Sequence, residues 1–365
     1  MSVTFIHTGD LHLGMEFKNA SFVGDHAKRR RLELWETFEK IIDRAEEKKS
    51  DLLLIAGDLF EDEYCTLGDI KRIRDAFSSL STTKVVISAG NHDFIGKKSL
   101  YKVIDWSNNV HIFLNNKPEK LLLDNINTII YGLSWNKKDE KKALADEISD
   151  LDNSKINILL IHGDAYNADS NYLPINRDKI KYFDYAALGH IHKPEFITEN
   201  IAYCGSPEPL DFGEGGKHGI IEGIIDKEYL ETSFIPFNKR EFIIKEVQIN
   251  ENMGYRDILD SIVNCDSKLN RDKNLYRVIL DGIRDSDVKL NLDDIIEVLR
   301  DKFYYIELID NTKADYDLDR IEKENSNNII GGFIKEMKQK GIDNPIVKEA
   351  LYDGLEILLS EKVKK

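Results

Sequence analysis

A repeated junction constrains this chain more than any other feature. Short apolar runs, each long enough for one buried strand, end abruptly in Asp, Asn or His. Residues 3–7 lead into Gly9-Asp10-Leu11-His12, and residues 52–56 into Gly57-Asp58. Residues 85–88 lead into Gly90-Asn91-His92-Asp93, residues 158–161 into His162-Gly163, and residues 185–188 into Gly189-His190-Ile191-His192. Helical spacing fills some of the intervals. At 28–49 the apolar positions Leu32, Trp35, Phe38, Ile41, Ile42 and Ala45 recur on one face, and 68–80 reads similarly. Strands alternating with helices imply a layered α/β fold. Ligand sites in open α/β sheets lie beyond the carboxyl ends of the strands, which is where the polar junctions fall.

Composition removes the main alternatives. A chain of 365 residues, 41% hydrophobic and 32% charged, is neither collagen-like nor disordered nor a disulfide scaffold, and its length suits two or three domains. Its apolar runs stop far short of the roughly 18 residues that span a bilayer. The opening Met-Ser-Val-Thr-Phe-Ile-His has no basic segment or small-residue cleavage site, so no secretory signal is expected. Three scattered cysteines (Cys65, Cys204, Cys265) fit reduced thiols and a cytoplasmic location. A net charge of −15 argues against a freestanding nucleic-acid binder. Carboxylates gathered at a metal site contribute to that sum, however, and a local basic patch can still hold DNA.

A second unit begins near residue 239. Strands at 242–249, 275–280 and 304–309 alternate with helices at 254–265 and 292–302, and the unit holds no His. A polar stretch follows, then helices at 329–340 and 345–359. Pro345 stands in a first turn, where its missing N–H costs nothing. Ile346, Ala350, Leu351, Leu355, Leu358 and Leu359 form one apolar stripe. The expected divisions are 1–238, 239–310, a linker at 311–328, and a helix pair at 329–365.

Five of the nine histidines fall in the junctions. A donor set of Asp, Asn and His without Cys suits Mn, Fe or Zn in mixed coordination rather than a structural zinc. Asp10 and His12 share one side of an extended chain, as do His190 and His192. Adjacent glycines let the backbone turn sharply. One Gly-Asp after a strand is usually only a turn, and a lone His is usually a core residue. Five such elements, each after an apolar strand, make a common site the better explanation.

The ordered set D-x-H, GD, GNHD, HG and GHxH resembles the calcineurin-like metallophosphoesterase superfamily. The resemblance implies a four-layer α/β sandwich with a small α/β capping domain and a C-terminal helix pair. It implies two divalent metal ions, with Mn2+ the expected species. Asp10, His12 and His192 would bind the first, Asn91, His162 and His190 the second, and Asp58 would bridge them. Gly57-Asp58-Leu59-Phe60-Glu61-Asp62 lacks the Arg of phosphoprotein phosphatases. The stretch from Ile6 to Gly14, and Tyr203-Cys204-Gly205-Ser206-Pro207, resemble SbcD-type DNA repair nuclease subunits. Gly9-Asp10-Leu11 stands where those proteins commonly have Ser-Asp-Trp, which points to a YhaO-like exonuclease branch.

This resemblance implies a 3′–5′ double-strand exonuclease and single-strand endonuclease in double-strand-break repair. It implies a homodimer, DNA as substrate, a nucleoid-associated cytoplasmic location, and an SbcC-type SMC-like ABC ATPase as partner. Residues 239–310 would be the DNA-recognition cap. Ile346, Ala350, Leu351, Leu355 and Leu358 would face the ATPase, although the same stripe could pack on its own domain. His92, directly after ligand Asn91, would be the general acid or transition-state stabiliser, with Asp93 orienting its ring. DNA-facing residues are expected in loops after the first and third motifs, with Lys28, Arg29, Arg30, Arg31, Lys97 and Lys98 as candidates. The first four fit a solvated helix face equally well. His7 is expected to be structural, and His218 a loop or strand-start residue. The rival function is a small-molecule phosphodiesterase or phosphatase of the same fold.

Overall fold

The apolar runs become two six-stranded sheets in a computed structural model that describes residues 2–17 and 25–363, with the backbone alone over 360–363. In chain order the first sheet-forming elements are β1 (Val3–Thr8), α1 (Asp25–Lys48), β2 (Leu52–Ile55), α2 (Leu67–Ser78), β3 (Lys84–Ser88) and β4 (Val110–Phe113). Then come β5 (Glu119–Leu123), β6 (Thr128–Gly132), β7 (Ile156–His162), α3 (Arg177–Ile180), β8 (Tyr185–Gly189), β9 (Glu195–Thr198), β10 (Ile201–Tyr203), β11 (Gly219–Ile225) and β12 (Leu230–Pro236). One sheet runs β12-β11-β1-β2-β3-β4 and the other β5-β6-β7-β8-β10-β9. Strands β1 to β4 are parallel, as are β6, β7, β8 and β10.

Parallel strands are covered on both faces, which is why they read as continuous apolar runs. All of β2 and β7 is buried. Alternation then decides what each side chain meets. Leu52 and Leu54 face the second sheet, among Ile158, Leu160, Tyr185 and Ala187. Leu53 and Ile55 face α1 and α2, against Phe38, Ile41, Ile70 and Phe77. On the far side of the second sheet, Leu159, Ile161 and Leu188 meet Trp135, Leu173, Ile180 and Phe183. The layers are therefore helix, sheet, sheet and a thin outer layer of loops carrying the single-turn α3. Helix α2 opens with a capping box. The Thr66 side chain accepts the Asp69 N–H at 3.2 Å, and the Asp69 carboxylate accepts the Thr66 N–H at 2.8 Å.

The chain divides into two compact units, Met1–Phe242 and Ile243–Lys365. Elements of the second part are β13 (Phe242–Ile249), α4 (Tyr255–Val263), α5 (Lys268–Arg271), β14 (Leu275–Asp285), α6 (Leu292–Leu299), β15 (Tyr305–Asp310) and β16 (Lys313–Asp315). Helices α7 (Leu318–Glu324), α8 (Ile329–Gln339) and α9 (Pro345–Val363) follow. Strands β13, β14 and β15 form one sheet, with β16 paired to β14.

Two expectations change here. The polar stretch 311–328 is not a linker. Ala314 pairs with Arg284, and Asp317 caps α7 by accepting the Arg320 N–H at 3.0 Å. The stripe on α9 is also split. Leu351 and Leu355 are fully buried against Ile330, Ile334 and Met337, so they hold their own unit together rather than face a partner. Ile346 and Ala350 are exposed, and Leu358 is half-buried. Among the described residues no helix is long and apolar enough to cross a membrane.

Candidate metal centre

The five junctions converge because β1, β2 and β3 are neighbours in one sheet, β7 and β8 are neighbours in the other, and the sheets stack. The first two motifs are zipped together beyond their strands. Asp10 N–H donates to Gly57 O at 2.9 Å, His12 N–H to Asp58 O at 2.9 Å, and Leu13 N–H to Leu59 O at 3.1 Å. Asp10 (φ 51°), His12 (φ 46°), Asp58 (φ 49°) and His190 (φ 102°) all have positive φ. Non-glycine residues held there carry strain that the surrounding structure must over-determine, a pattern that clusters at functional sites. Gly57 sits at φ 87°, and a Cβ there would lie 2.3 Å from His162 Nδ1. A Cβ on Gly90 would lie 2.3 Å from Asp58 Oδ1.

All seven expected ligands come together. Ligand atoms of Asp10, His12 and His192 lie within 4.8 Å of one another, as do those of Asp10, Asp58 and His162. His162 Nε2 lies 3.0 Å from Asn91 Oδ1 and 3.3 Å from Asp58 Oδ2. The His190 ring centroid is 5.2 Å from that of His162, and its backbone N–H donates to both Asp10 oxygens. Asp58 Oδ1 accepts the His92 N–H at 2.9 Å, while Oδ2 faces His162 and His12.

The imidazoles are oriented for a cation. His12 Nδ1 lies 2.7 Å from Glu61, His192 Nδ1 2.6 Å from Glu214, and His162 Nδ1 2.9 Å from Ala56 O. Carboxylates and carbonyls only accept, so each Nδ1 carries a proton and each ring turns its Nε2, the nitrogen that could bind a metal, inward. The Nε2 atoms of His12 and His192 are 3.2 Å apart. Two lone pairs at that distance repel unless a proton or a cation lies between them. The donor set therefore fits divalent metal ions.

Glu61 and Glu214 are functional residues that the sequence does not assign. Glu61 belongs to the Gly57–Asp62 motif, and Glu214 ends the stretch Leu210-Asp211-Phe212-Gly213-Glu214, which also resembles SbcD-type subunits, but the pairing of each with its ring is tertiary. Burial alone would raise the Glu61 carboxyl, but hydrogen bonds from His12 and His92 hold it down at about 2. The same Glu61 bond, set against partial burial, raises the His92 imidazole above its ordinary value. His92 is exposed at the rim of this cluster.

Asp93 does not orient His92, contrary to expectation. The Nδ1 of His92 pairs with Glu61 Oε2 at 2.9 Å. Asp93 is fully buried and accepts the N–H groups of Leu59 (2.8 Å) and Gly90 (2.7 Å) and the Tyr101 hydroxyl (2.7 Å). It locks the second and third motifs together. Burial, followed by the neighbouring Asp58 charge, pushes its carboxyl up to about 6.

The basic candidates separate. Lys28, Lys97 and Lys98 are exposed, and Arg29 and Arg31 are half-buried. Arg30 is the correction, because it is fully buried. Its guanidinium binds Glu33 at 2.6 Å, Glu208 at 3.2 Å and Pro209 O at 2.8 Å. It ties α1 to the segment after Ser206 and is closed to DNA. The loop after the first motif runs into residues 18–24, outside the described residues. His218 is buried, with Nδ1 3.0 Å from the Ser206 hydroxyl and Nε2 3.0 Å from Glu214 O. It supports the Glu214 loop.

Two stacked parallel-centred sheets whose strand ends deliver this Asp, Asn and His set define a metallophosphoesterase. The chain belongs to the calcineurin-like phosphoesterase family, whose model matches residues 3–194, more than half of its length. Members of this family bind divalent metals. The chain is 27% identical over 264 residues to YhaO of Bacillus subtilis (strain 168), described as an uncharacterized metallophosphoesterase. That likeness covers 67% of this chain and 64% of YhaO, so the chain spans a little under two thirds of that relative. It is 26% identical over 289 residues to the DNA double-strand break repair protein Mre11 of Methanocaldococcus jannaschii, covering 72% of this chain and 74% of that protein.

Proposed function

We propose that this phosphoesterase is a DNA nuclease acting in double-strand-break repair. The observation that carries the reading is the reach of the Mre11 likeness. It covers 72% of 365 residues, about 263, which is more than the 242 residues of the first unit. The likeness therefore extends past the metal centre into the second unit, which a small-molecule phosphatase would not need.

Asp10, His12 and His192 would hold one metal ion, Asn91, His162 and His190 the other, and Asp58 both. When bound, the ions would polarise the phosphate oxygens and supply an activated water. The chain's own contribution to the leaving group is His92. Its Nδ1 is taken by Glu61, so Nε2 is the nitrogen that can pass a proton to the departing 3′ oxygen. Lys28, Arg31, Lys97 and Lys98 would contact the DNA backbone. An SMC-like ABC ATPase would dock on the exposed part of α9, and the working form would be a homodimer in the cytoplasm, at the nucleoid.

The test is Mn2+-dependent cleavage of end-labelled linear duplex DNA, with Asp58→Ala and His92→Ala as controls. Wild type should cut and Asp58→Ala should not. His92→Ala should lose about 10²–10⁴-fold while keeping its metal. Hydrolysis of an aryl phosphodiester with no DNA cleavage would instead favour the small-molecule reading.

A further inference from the structure

A cleft of about 310 Å³ opens beside the metal centre. Two loops held together beyond their strands form its walls. The Glu61 N–H donates to Leu13 O at 2.9 Å, and the Cys65 thiol to the same oxygen at 3.1 Å. Tyr64 follows in a tight turn, its N–H on Glu61 O at 3.0 Å. Met15, Phe17 and Tyr64 give the cleft apolar and aromatic surface, and His92 borders both the cleft and the metal centre. Phe17 is buried in the core beside α1, with the Arg30 guanidinium 5.7 Å from its ring, so that wall is fixed. Tyr64 is 41% exposed. Charge then selects what the cleft can take. Glu16, Glu61 and Glu63 line it, and the ammonium of Lys138 is already held by Glu63 at 2.7 Å. A phosphate would meet three carboxylates there, whereas an uncharged, flat group would not be repelled.

We propose that this cleft is a nucleobase subsite, and that Tyr64 is the platform on which a base flanking the scissile phosphate stacks. The proposal rests on the nuclease reading and deepens it. Because His92 belongs to both places, a nucleoside whose phosphate sits at the metal centre can lay its base in the cleft. Every base has a π face, so an aromatic platform serves all four. Every base also has at least one N–H on its edge, and the Glu16 and Glu63 carboxylates can only accept. The subsite therefore reads the presence of a base rather than its identity. A base enters only when it leaves the stack of its neighbours, which costs least where it is unpaired. The substrate class is DNA with an unstacked base beside the bond that is cut.

Removing the base tests this. The full chain with Mn2+ is given an intact dinucleotide and its two singly abasic forms. Wild type should cut the intact dinucleotide about fivefold or more better, in kcat/KM, than one of the abasic forms. Tyr64→Ala should bring that ratio toward one, and Tyr64→Phe should keep it. A merely structural role for Tyr64 would lower all three rates together and leave the ratio alone, which would overturn Tyr64 as the platform. Photo-crosslinking of the metal-free full chain gives a readout independent of turnover. An oligonucleotide carrying 5-iododeoxyuridine at the sensitive position should link to Tyr64 or Phe17. If Tyr64→Ala does not fold, the wild-type ratio and the crosslink decide alone. Equal kcat/KM on all three dinucleotides, or a crosslink mapped outside the cleft, would overturn the subsite and leave the nuclease reading standing. A wild type that hydrolyses bis(p-nitrophenyl) phosphate but no dinucleotide would overturn the nuclease reading, and the subsite with it.

Discussion

At the residue scale, this centre is built from imidazoles whose outer nitrogens are already committed. Glu61, Glu214 and the Ala56 carbonyl each accept one Nδ1–H, the Nε2 atoms of His12 and His192 face one another, and that of His162 faces Asn91 and Asp58. Glu214 is itself held by the Leu210 N–H at 2.8 Å and the Ser206 hydroxyl at 3.3 Å. Partners of this kind fix ring orientation and raise ligand basicity. Glu214→Gln should therefore weaken metal binding by about 10–100-fold. Calorimetric titration of Mn2+ into the metal-free variant measures this, and wild-type affinity would show that Glu214 does not orient His192.

At the scale of elements, strand ends and helix faces do separate jobs. The strands bring their junctions to one edge, where loop-to-loop hydrogen bonds hold Asp10, His12 and Asp58 at positive φ. Helix α9 shows the other division. Its buried residues, Leu351 and Leu355, close the core of the helical group. Ile346 is 76% exposed, and Ala350, one turn on, shares its face. If an SMC-like ATPase docks on this face, as proposed above, the double variant Ile346→Asp, Ala350→Asp should lose co-purification with it. Its melting transition should stay close to wild type, because surface changes usually stay within about 0.5 kcal/mol. Undiminished capture of the ATPase would move the docking face elsewhere.

At the scale of the molecule, the two stacked sheets are bridged by a histidine that is not a ligand. His7 on β1 is fully buried, with Nδ1 2.9 Å from the Tyr185 hydroxyl and Nε2 3.2 Å from Leu188 O, both on β8. A neutral ring satisfies both contacts, accepting from the hydroxyl and donating to the carbonyl. Burial lowers its pKa from 6.5 to about 3, against a smaller opposing effect of the Leu188 carbonyl. Between those values the unfolded chain binds a proton at His7 that the folded chain refuses. Stability should thus fall as pH drops from about 6.5 toward 3, by up to about 1.4 kcal/mol per pH unit from this group. Denaturant melts across that range, compared with His7→Gln, isolate the contribution. Equal pH slopes in the two proteins would show that His7 is not the group being protonated.

The sequence by itself marked the five strands of the first unit that end in polar junctions, because a buried strand and a polar junction are both local patterns. The resemblance carried by those junctions supplied the seven candidate ligands. The remaining strands of that unit and the order within each sheet were not marked. Asp10, Asp58 and His190 could be named from their neighbours along the chain. It also marked His7 as structural, since the residue alternates with Phe5 in an apolar strand. Only the tertiary structure decided which carboxylate meets which ring. Glu61 and Asp93 stand in adjacent motifs and are indistinguishable by local pattern. Stacking the loops puts Glu61 on His92 and buries Asp93 under the backbone of its neighbours. The same holds for Arg30, which sits in a run of basic residues yet is turned inward by Glu33 and Glu208. Leu351 and Ile346 lie on one stripe, and only α8 decides which of them is covered. Pairings across long stretches of chain depend on which surfaces packing brings together, and no local pattern encodes that.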